Sequence, residues 1–206
     1  MQFYAITDRK RSTRPLLTQV KDWSSGGVQF IQLREKDLDR DALGILIQQL
    51  MDQVNRRHSK LLINVPDIET ADWALAEGAD GVHLAGKPVA GAAQRFRRTH
   101  ERAIISVPCH SFEDIGIAAA ERVDLMIFSP VFEKVFGEGI PTQGLEGLRK
   151  ACAIARGIPV FALGGVTAAN APDCVAAGAT GIAAIRLFAG DDWRSLATNM
   201  SLKNHI

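Results

Sequence analysis

Apolar positions along the chain fall into two alternating rhythms. Short, near-continuous apolar runs recur at Gln2–Ile6, Val28–Leu33, Leu61–Asn64, Asp80–Leu84, Ala103–Val107, Asp124–Phe128, Pro159–Leu163 and Gly181–Ile185. Such runs suit strands covered on both faces, because a parallel sheet held between two layers has no wet side. Between them, apolar residues three and four apart predict helices over Asp39–Arg57 (the longest), Asp67–Ala76, Phe112–Arg122, Leu145–Ala155 and Ala168–Ala176, with Asp192–Met200 closing the chain. Gly or Pro stands at most joints, at Gly26-Gly27, Gly78, Gly157-Ile158-Pro159 and Gly178. Asp67, and Ser111 with Asp114 three residues on, have the form of helix caps.

Eight such strand–helix units in 206 residues predict an α/β fold, a (β/α)8 TIM barrel spanning residues 1–206 as a single domain. A doubly wound open sheet gives the same alternation. The count of eight and the lack of Gly-x-Gly-x-x-Gly after the first strand favour closure. Glu77-Gly78-Ala79-Asp80-Gly81-Val82 also echoes Ala177-Gly178-Ala179-Thr180-Gly181-Ile182. The longest loop candidate, Ser129–Gly144, follows the sixth strand and is a candidate lid.

Composition narrows the function. Hydrophobic residues make 47% and charged residues 23% of the chain, as in ordinary globular proteins. A net charge of +1 gives no overall pull toward nucleic acid or an anionic membrane, and no apolar run is long enough to span one. The tryptophans and the tyrosine are dispersed, so no base-stacking platform is visible. The N-terminus lacks the basic-then-apolar order of a signal peptide, and Cys109, Cys152 and Cys174 form neither a disulfide framework nor a zinc site. A cytoplasmic protein is expected. No His/Asp/Glu cluster with metal spacing, Walker loop or nucleophile elbow is present.

In a barrel, chemistry sits where the strands end. The second strand ends in Gln32-Leu33-Arg34-Glu35-Lys36, and alternation puts Gln32, Arg34 and Lys36 on one side. They read either as a clamp for a phosphorylated ligand or, for the two cations, as partners of Glu35 and Asp37. Asn64 ends the third strand and either bonds a heteroaromatic ring or shapes a turn. His83 lies inside the fourth strand and reads as a structural residue. His110, just past the fifth, suits proton transfer near neutrality, or capping of the next helix with Ser111. Its neighbour Cys109 points away, against a Cys–His pair. Gly164-Gly165 after the seventh strand and Ile185-Arg186 after the eighth occupy the usual phosphate corner of a barrel.

Taken in order, Tyr4-Ala5-Ile6-Thr7-Asp8, Gln32-Leu33-Arg34-Glu35-Lys36, Asn64, Gly78-Ala79-Asp80-Gly81-Val82-His83-Leu84, His110-Ser111, Pro130-Val131-Phe132, Gly144-Leu145-Glu146-Gly147 and Gly164-Gly165-Val166-Thr167 resemble the superfamily of thiamine phosphate synthase and thiazole tautomerase over nearly the whole chain. The resemblance implies one of two chemistries. The synthase branch joins a pyrimidine diphosphate to a thiazole phosphate with magnesium. The tautomerase branch moves protons on a carboxythiazole phosphate without metal. The synthase pattern has Asp where this chain has Val65, and a second Asp shortly after His-Leu-Gly, where this chain reads Leu84-Ala85-Gly86-Lys87-Pro88. Its Thr-x-Thr-Lys is replaced by Glu133-Lys134-Val135-Phe136-Gly137. Cys109-His110-Ser111 is similar to the Val-His-Ser of the tautomerase branch.

The expectation is therefore a thiazole tautomerase-like isomerase with no metal or other cofactor. His110 would be its general acid–base, and Gly164, Gly165, Ile185 and Arg186 would hold phosphate. Gln32, Arg34, Lys36 and Asn64 would face the ring or carboxylate, and Phe132 and Lys134 would cover it. The expected partner is a small thiazole phosphate, with a homodimer possible and no nucleic acid or membrane. The alternatives are a thiamine phosphate synthase with an altered metal site, a non-catalytic thiazole phosphate-binding protein, and a sugar-phosphate isomerase on the same barrel.

Overall fold

The computed structural model describes residues 1–88, 90–133 and 141–203. Its eight strands are parallel and close into a barrel in chain order. They are β1 (Gln2–Ile6), β2 (Phe30–Leu33), β3 (Lys60–Val65), β4 (Gly81–Leu84), β5 (Ile104–Cys109), β6 (Leu125–Phe128), β7 (Val160–Ala162) and β8 (Gly181–Ala184). Closure is made by β8 against β1, with Tyr4 opposite Ala183. The helices are α1 (Leu16–Ser25), α2 (Arg40–Met51), α3 (Ile68–Ala76), α4 (Ala92–Thr99), α5 (Phe112–Glu121), α6 (Gly144–Ile154), α7 (Ala171–Ala176), α8 (Arg186–Ala189) and α9 (Asp192–Lys203). Among the described residues, no helix is long and apolar enough to cross a membrane.

Strand alternation divides the core in two. Tyr4, Ile6, Leu62, Leu125, Ile127, Phe161 and Ala183 point inward and form a plug. Phe3, Ala5, Ile31, Ile63, Val82, Ile105 and Ile182 point outward and meet the helices. Tyr4 packs against Phe30 at 5.9 Å and Phe161 at 5.6 Å between ring centroids, so the barrel is filled rather than hollow. Above the plug, the inward positions of β2 to β6 turn polar, at Gln32, Asn64, His83, Ser106 and the adjoining Ser129. The floor of the site is thus the level at which the alternation changes chemistry.

The sequence echo has a packing cause. A Cβ at Gly81 would collide with the carbonyl of Ile104, and one at Gly181 with that of Gln2. Both strands begin where a neighbour's backbone passes too closely for a side chain. The predicted Asp67 and Ser111 caps are present: Asp67 accepts from Thr70 N–H, and Ser111 and Asp114 form a capping box.

Several expected boundaries are corrected. The predicted Asp39–Arg57 helix stops at Met51, after which Val54 buries itself and the Asn55 N–H bonds Ser24 Oγ at 2.8 Å. The eighth strand ends at Ala184 rather than Ile185, which already enters α8. The fifth runs on through Pro108 to Cys109, so His110 stands at its very end.

Candidate active site

The C-terminal ends of the strands enclose a cavity of about 570 Å3. Its lining brings together Gln32 from β2, Arg34 and Lys36 just after it, Asn64 from β3, His83 from β4, His110 after β5, Gly164 and Gly165 after β7, and Ile185 and Arg186 after β8. Phe132 is not on this wall. It packs on the outer core behind Gly165 and donates its N–H to the Gly164 carbonyl at 2.9 Å. Lys134, with most of the expected lid, lies outside the described residues.

The β7 side is made of backbone. Gly164 and Gly165 have φ of +99° and +64°, and a Cβ on Gly165 would press into Phe132 and the Glu133 carbonyl. Asn170 pins this bend, donating from Nδ2 to the Gly165 carbonyl at 3.0 Å and accepting the Thr167 N–H at 2.8 Å. The N–H groups of Gly164, Gly165 and Val166 bond no described residue, which leaves three donors at the wall. Exposed Arg186 completes the corner.

The β2 side is made of side chains, and here the two readings of its cations separate. Glu35 and Asp37 do not pair with Arg34 or Lys36. Arg9 takes both, at 3.0 Å to Glu35 and 2.6 Å to Asp37, and Lys10 adds a 3.0 Å contact to Asp37. These cations hold the Asp37 carboxyl well below its usual range, chiefly through the Arg9 hydrogen bond. Among the described residues, Arg34 and Lys36 make no ion pair. The Arg34 backbone is fixed instead by its N–H to the buried Thr7 Oγ1 at 2.9 Å. Below it, Gln32 is 2% exposed and its Oε1 has no hydrogen-bond partner. An orphan buried carbonyl is rare, and the rest of the Gln32 side chain lines the cavity.

His110 serves two structures at once. Its backbone N–H and that of Ser111 both bond Asp114 Oδ2, at 2.8 and 3.0 Å, which starts α5. Its side chain turns across to β6, with Nδ1 2.9 Å from the Ser129 carbonyl. A carbonyl only accepts, so Nδ1 carries a proton and the neutral ring has its lone pair on Nε2. Burial pushes the Cys109 thiol up to about 12, which removes it as a nucleophile at neutral pH. Ser129, Thr7 and Arg9, which position these groups, were missed as site residues. Thr7 stands in a quoted motif, but nothing local marks the other two.

Magnesium, which the resemblance implies for a synthase, needs several oxygen ligands. The described lining offers one carboxylate, Glu133, among Arg11, Arg34, Lys36 and Arg186. Val65 is fully buried in the outer core, and the described residues contain no group of three acids, histidines or cysteines able to hold an ion. The residues present do not fit a metal held by the protein. A second cavity, about 390 Å3, lies outside the barrel wall against Leu84, Ala93, Val107 and Val123, away from these polar groups.

Comparison with known proteins assigns the architecture to a family. A family model described as thiamine monophosphate synthase matches residues 3–188. A Geobacter sulfurreducens protein named "Putative thiamine-phosphate synthase" is 38% identical over 193 residues, covering 91% of this chain and 86% of its own. The thiamine-phosphate synthase of Mycolicibacterium smegmatis is 31% identical over 209 residues, covering 96% and 89%. Among solved structures, the thiamine phosphate pyrophosphorylase of Pyrococcus furiosus superposes with a TM-score of 0.78 at 27% identity, covering 95% of this chain and 91% of that one. These findings overturn the expected tautomerase-like isomerase. These relatives carry the names of thiamine-phosphate synthases, which are transferases. Val65, the Leu84–Pro88 stretch and the altered Glu133–Gly137 stretch set this chain apart within the family and do not take it out of the family.

Proposed function

The chain belongs to the thiamine monophosphate synthase family, and from that premise we propose that it joins a pyrimidine diphosphate to a thiazole phosphate and releases diphosphate. The observation that carries the reading is the charge of the mouth: Arg11, Arg34, Lys36 and Arg186 line it against the single described acid Glu133. The acids nearest to Arg34 are held by Arg9 and Lys10.

When diphosphate leaves, negative charge builds on the oxygen of the breaking bond. A full positive charge ~4 Å from it is worth about 4 kcal/mol at an effective dielectric of ~20, so two oriented cations are a major term. Arg34 and Lys36 supply that charge from β2. The free N–H groups of Gly164, Gly165 and Val166, with Arg186, suit the phosphate of the other ring. The Gln32 side-chain amide, which lines the cavity, bonds the edge of the pyrimidine. Asn64 bonds the same ring, and His110 offers its Nε2 lone pair at the rim. The cavity volume is that of a small-molecule site.

The test is a coupling assay with both substrates and titrated magnesium, following diphosphate release. Release that requires both rings is expected. No release with any divalent ion overturns the reading. One observation favours a second reading, a binding protein that has lost coupling: hydrophobic Val65 where the synthase pattern has a carboxylate. Tight binding of both ligands without diphosphate release decides for it.

A further inference from the structure

His83 is buried at 6% exposure on β4, lines the mouth cavity, and has no part in the coupling steps above. Its partners fix its protonation. Nδ1 lies 2.9 Å from Ser106 Oγ on β5, and Ser106 Oγ lies 3.3 Å from the hydroxyl of Tyr4 on β1. Tyr4 is fully buried, and Ser106 is the one described partner of its hydroxyl.

Counting protons gives the chain a direction. Burial raises the Tyr4 phenol above its ordinary range, so it keeps its hydrogen and gives it to Ser106 Oγ. The Ser106 hydrogen then goes to Nδ1, which must accept it. The neutral imidazole therefore carries its own proton on Nε2. The reverse chain would strand the phenol hydrogen in a dry interior, which buried hydroxyls avoid. Burial, followed by the positive charge of Arg34 and by the repulsion His110 adds once it is itself protonated, brings the ring down to about 3, so it is neutral near pH 7. Nε2 bonds no described residue and is not among the buried unpartnered atoms, so its exposure opens into the cavity the residue lines.

We propose that His83 is a specificity-determining residue, locked by Ser106 and Tyr4 as a neutral Nε2–H donor that accepts only a ligand ring presenting a hydrogen-bond acceptor at the cavity floor. With the cavity-lining Gln32 amide two strands away, the floor selects a heterocycle having both a ring-nitrogen acceptor and a polar group that pairs with an amide. This ligand assignment rests on the coupling reading above. The two histidines then have opposite tautomers in one mouth: His83 presents a proton, and His110 a lone pair.

The lock is tested without ligand. Long-range proton–nitrogen NMR of the histidine-labelled full chain is expected to show the Nε2–H form for His83, and a rise of the Nδ1–H form in Ser106→Ala. An Nδ1–H form or an imidazolium in the parent protein near pH 7 overturns it. The ligand assignment is tested by calorimetry with a 4-aminopyrimidine diphosphate and, separately, a thiazole phosphate. His83→Met is expected to weaken the pyrimidine about tenfold and leave the thiazole within about twofold. His83→Gln, whose amide nitrogen can reach the place of Nε2, restores most of the affinity. Equal losses for both ligands, or no rescue by Gln, overturn the assignment. Should His83→Met fail to fold, Ser106→Ala carries the same comparison, with a severalfold pyrimidine-selective loss expected and an unselective one overturning it. Failure of the parent protein to bind the pyrimidine overturns the coupling reading and this assignment with it, while the tautomer is decided separately in ligand-free protein.

Discussion

The two sides of the mouth are built by different means. After β7 the chain offers backbone: two left-handed glycines, three N–H groups that bond no described residue and an Asn170 brace. From β2 to β4 it offers side chains: Gln32, Arg34, Lys36, Asn64 and His83. Backbone donors are the same whatever residue carries them, so on the proposed reading the β7 side would take a generic phosphate and be sensitive only to shape. Side-chain donors and acceptors have identities, so the β2–β4 side would choose the ligand. On that reading, anchoring and choice lie on opposite walls.

The sharpest way to break this division is Gly165→Ala, which adds a methyl group and no chemistry. A left-handed residue costs ~1–2 kcal/mol and a backbone collision ~1–3 more, so the loss is about 2–5 kcal/mol. Thermal unfolding is expected to fall by roughly 5–15 °C, together with phosphate affinity. If Ala is tolerated with unchanged affinity, the bend is a plain turn and the backbone anchor is wrong.

Arg34→Ala is expected to do the reverse, with weaker binding and little loss of stability. Among the described residues Arg34 makes no ion pair, so unfolding moves by less than about 2 °C. Affinity for inorganic diphosphate falls ~10–100-fold, the value of one charged hydrogen bond. Arg9→Ala sharpens the point. It removes the guanidinium shared by Glu35 and Asp37, leaving Asp37 to Lys10 and Glu35 to a backbone N–H, and should weaken diphosphate binding severalfold although Arg9 is absent from the cavity lining. No effect of Arg9→Ala means that the acids do not reach the mouth.

The sequence carried the barrel because each strand is an apolar run and closure must bring all C-terminal ends to one rim. These mouth residues followed from that alone, since Gln32, Asn64 and His110 each lie within one residue of a strand's end. Three helices were not predicted, α1, α4 and α8. In α4 only Ala93 and Phe96 are buried, and Gly91 stands where a capping side chain would, so neither period nor cap is visible. Long-range competition was also hidden. Glu35 and Asp37 sit beside Arg34 in the chain, yet the distant Arg9 takes them. His83 read as structural because its direction is set by Ser106, 23 residues on, and through it by Tyr4, which is 102 residues from Ser106. No local pattern encodes a hydrogen-bond chain across three strands.

The smallest expected effect is the most discriminating, because its two halves have opposite signs. Gln32 is buried with an unpartnered carbonyl, a state that costs about 1–3 kcal/mol when left unrelieved. Gln32→Leu keeps the volume and removes that cost, so thermal unfolding should rise by ~2–4 °C, equivalent to about 1 kcal/mol. The same change removes the cavity-lining amide proposed to bond the pyrimidine and should weaken that ligand about tenfold, with thiazole phosphate unaffected. A residue that destabilises the empty fold and steadies the bound one is retained for binding. A fall in stability would mean that Gln32 is already satisfied in the free protein. Unchanged pyrimidine affinity would move the choice of ligand off the β2–β4 wall.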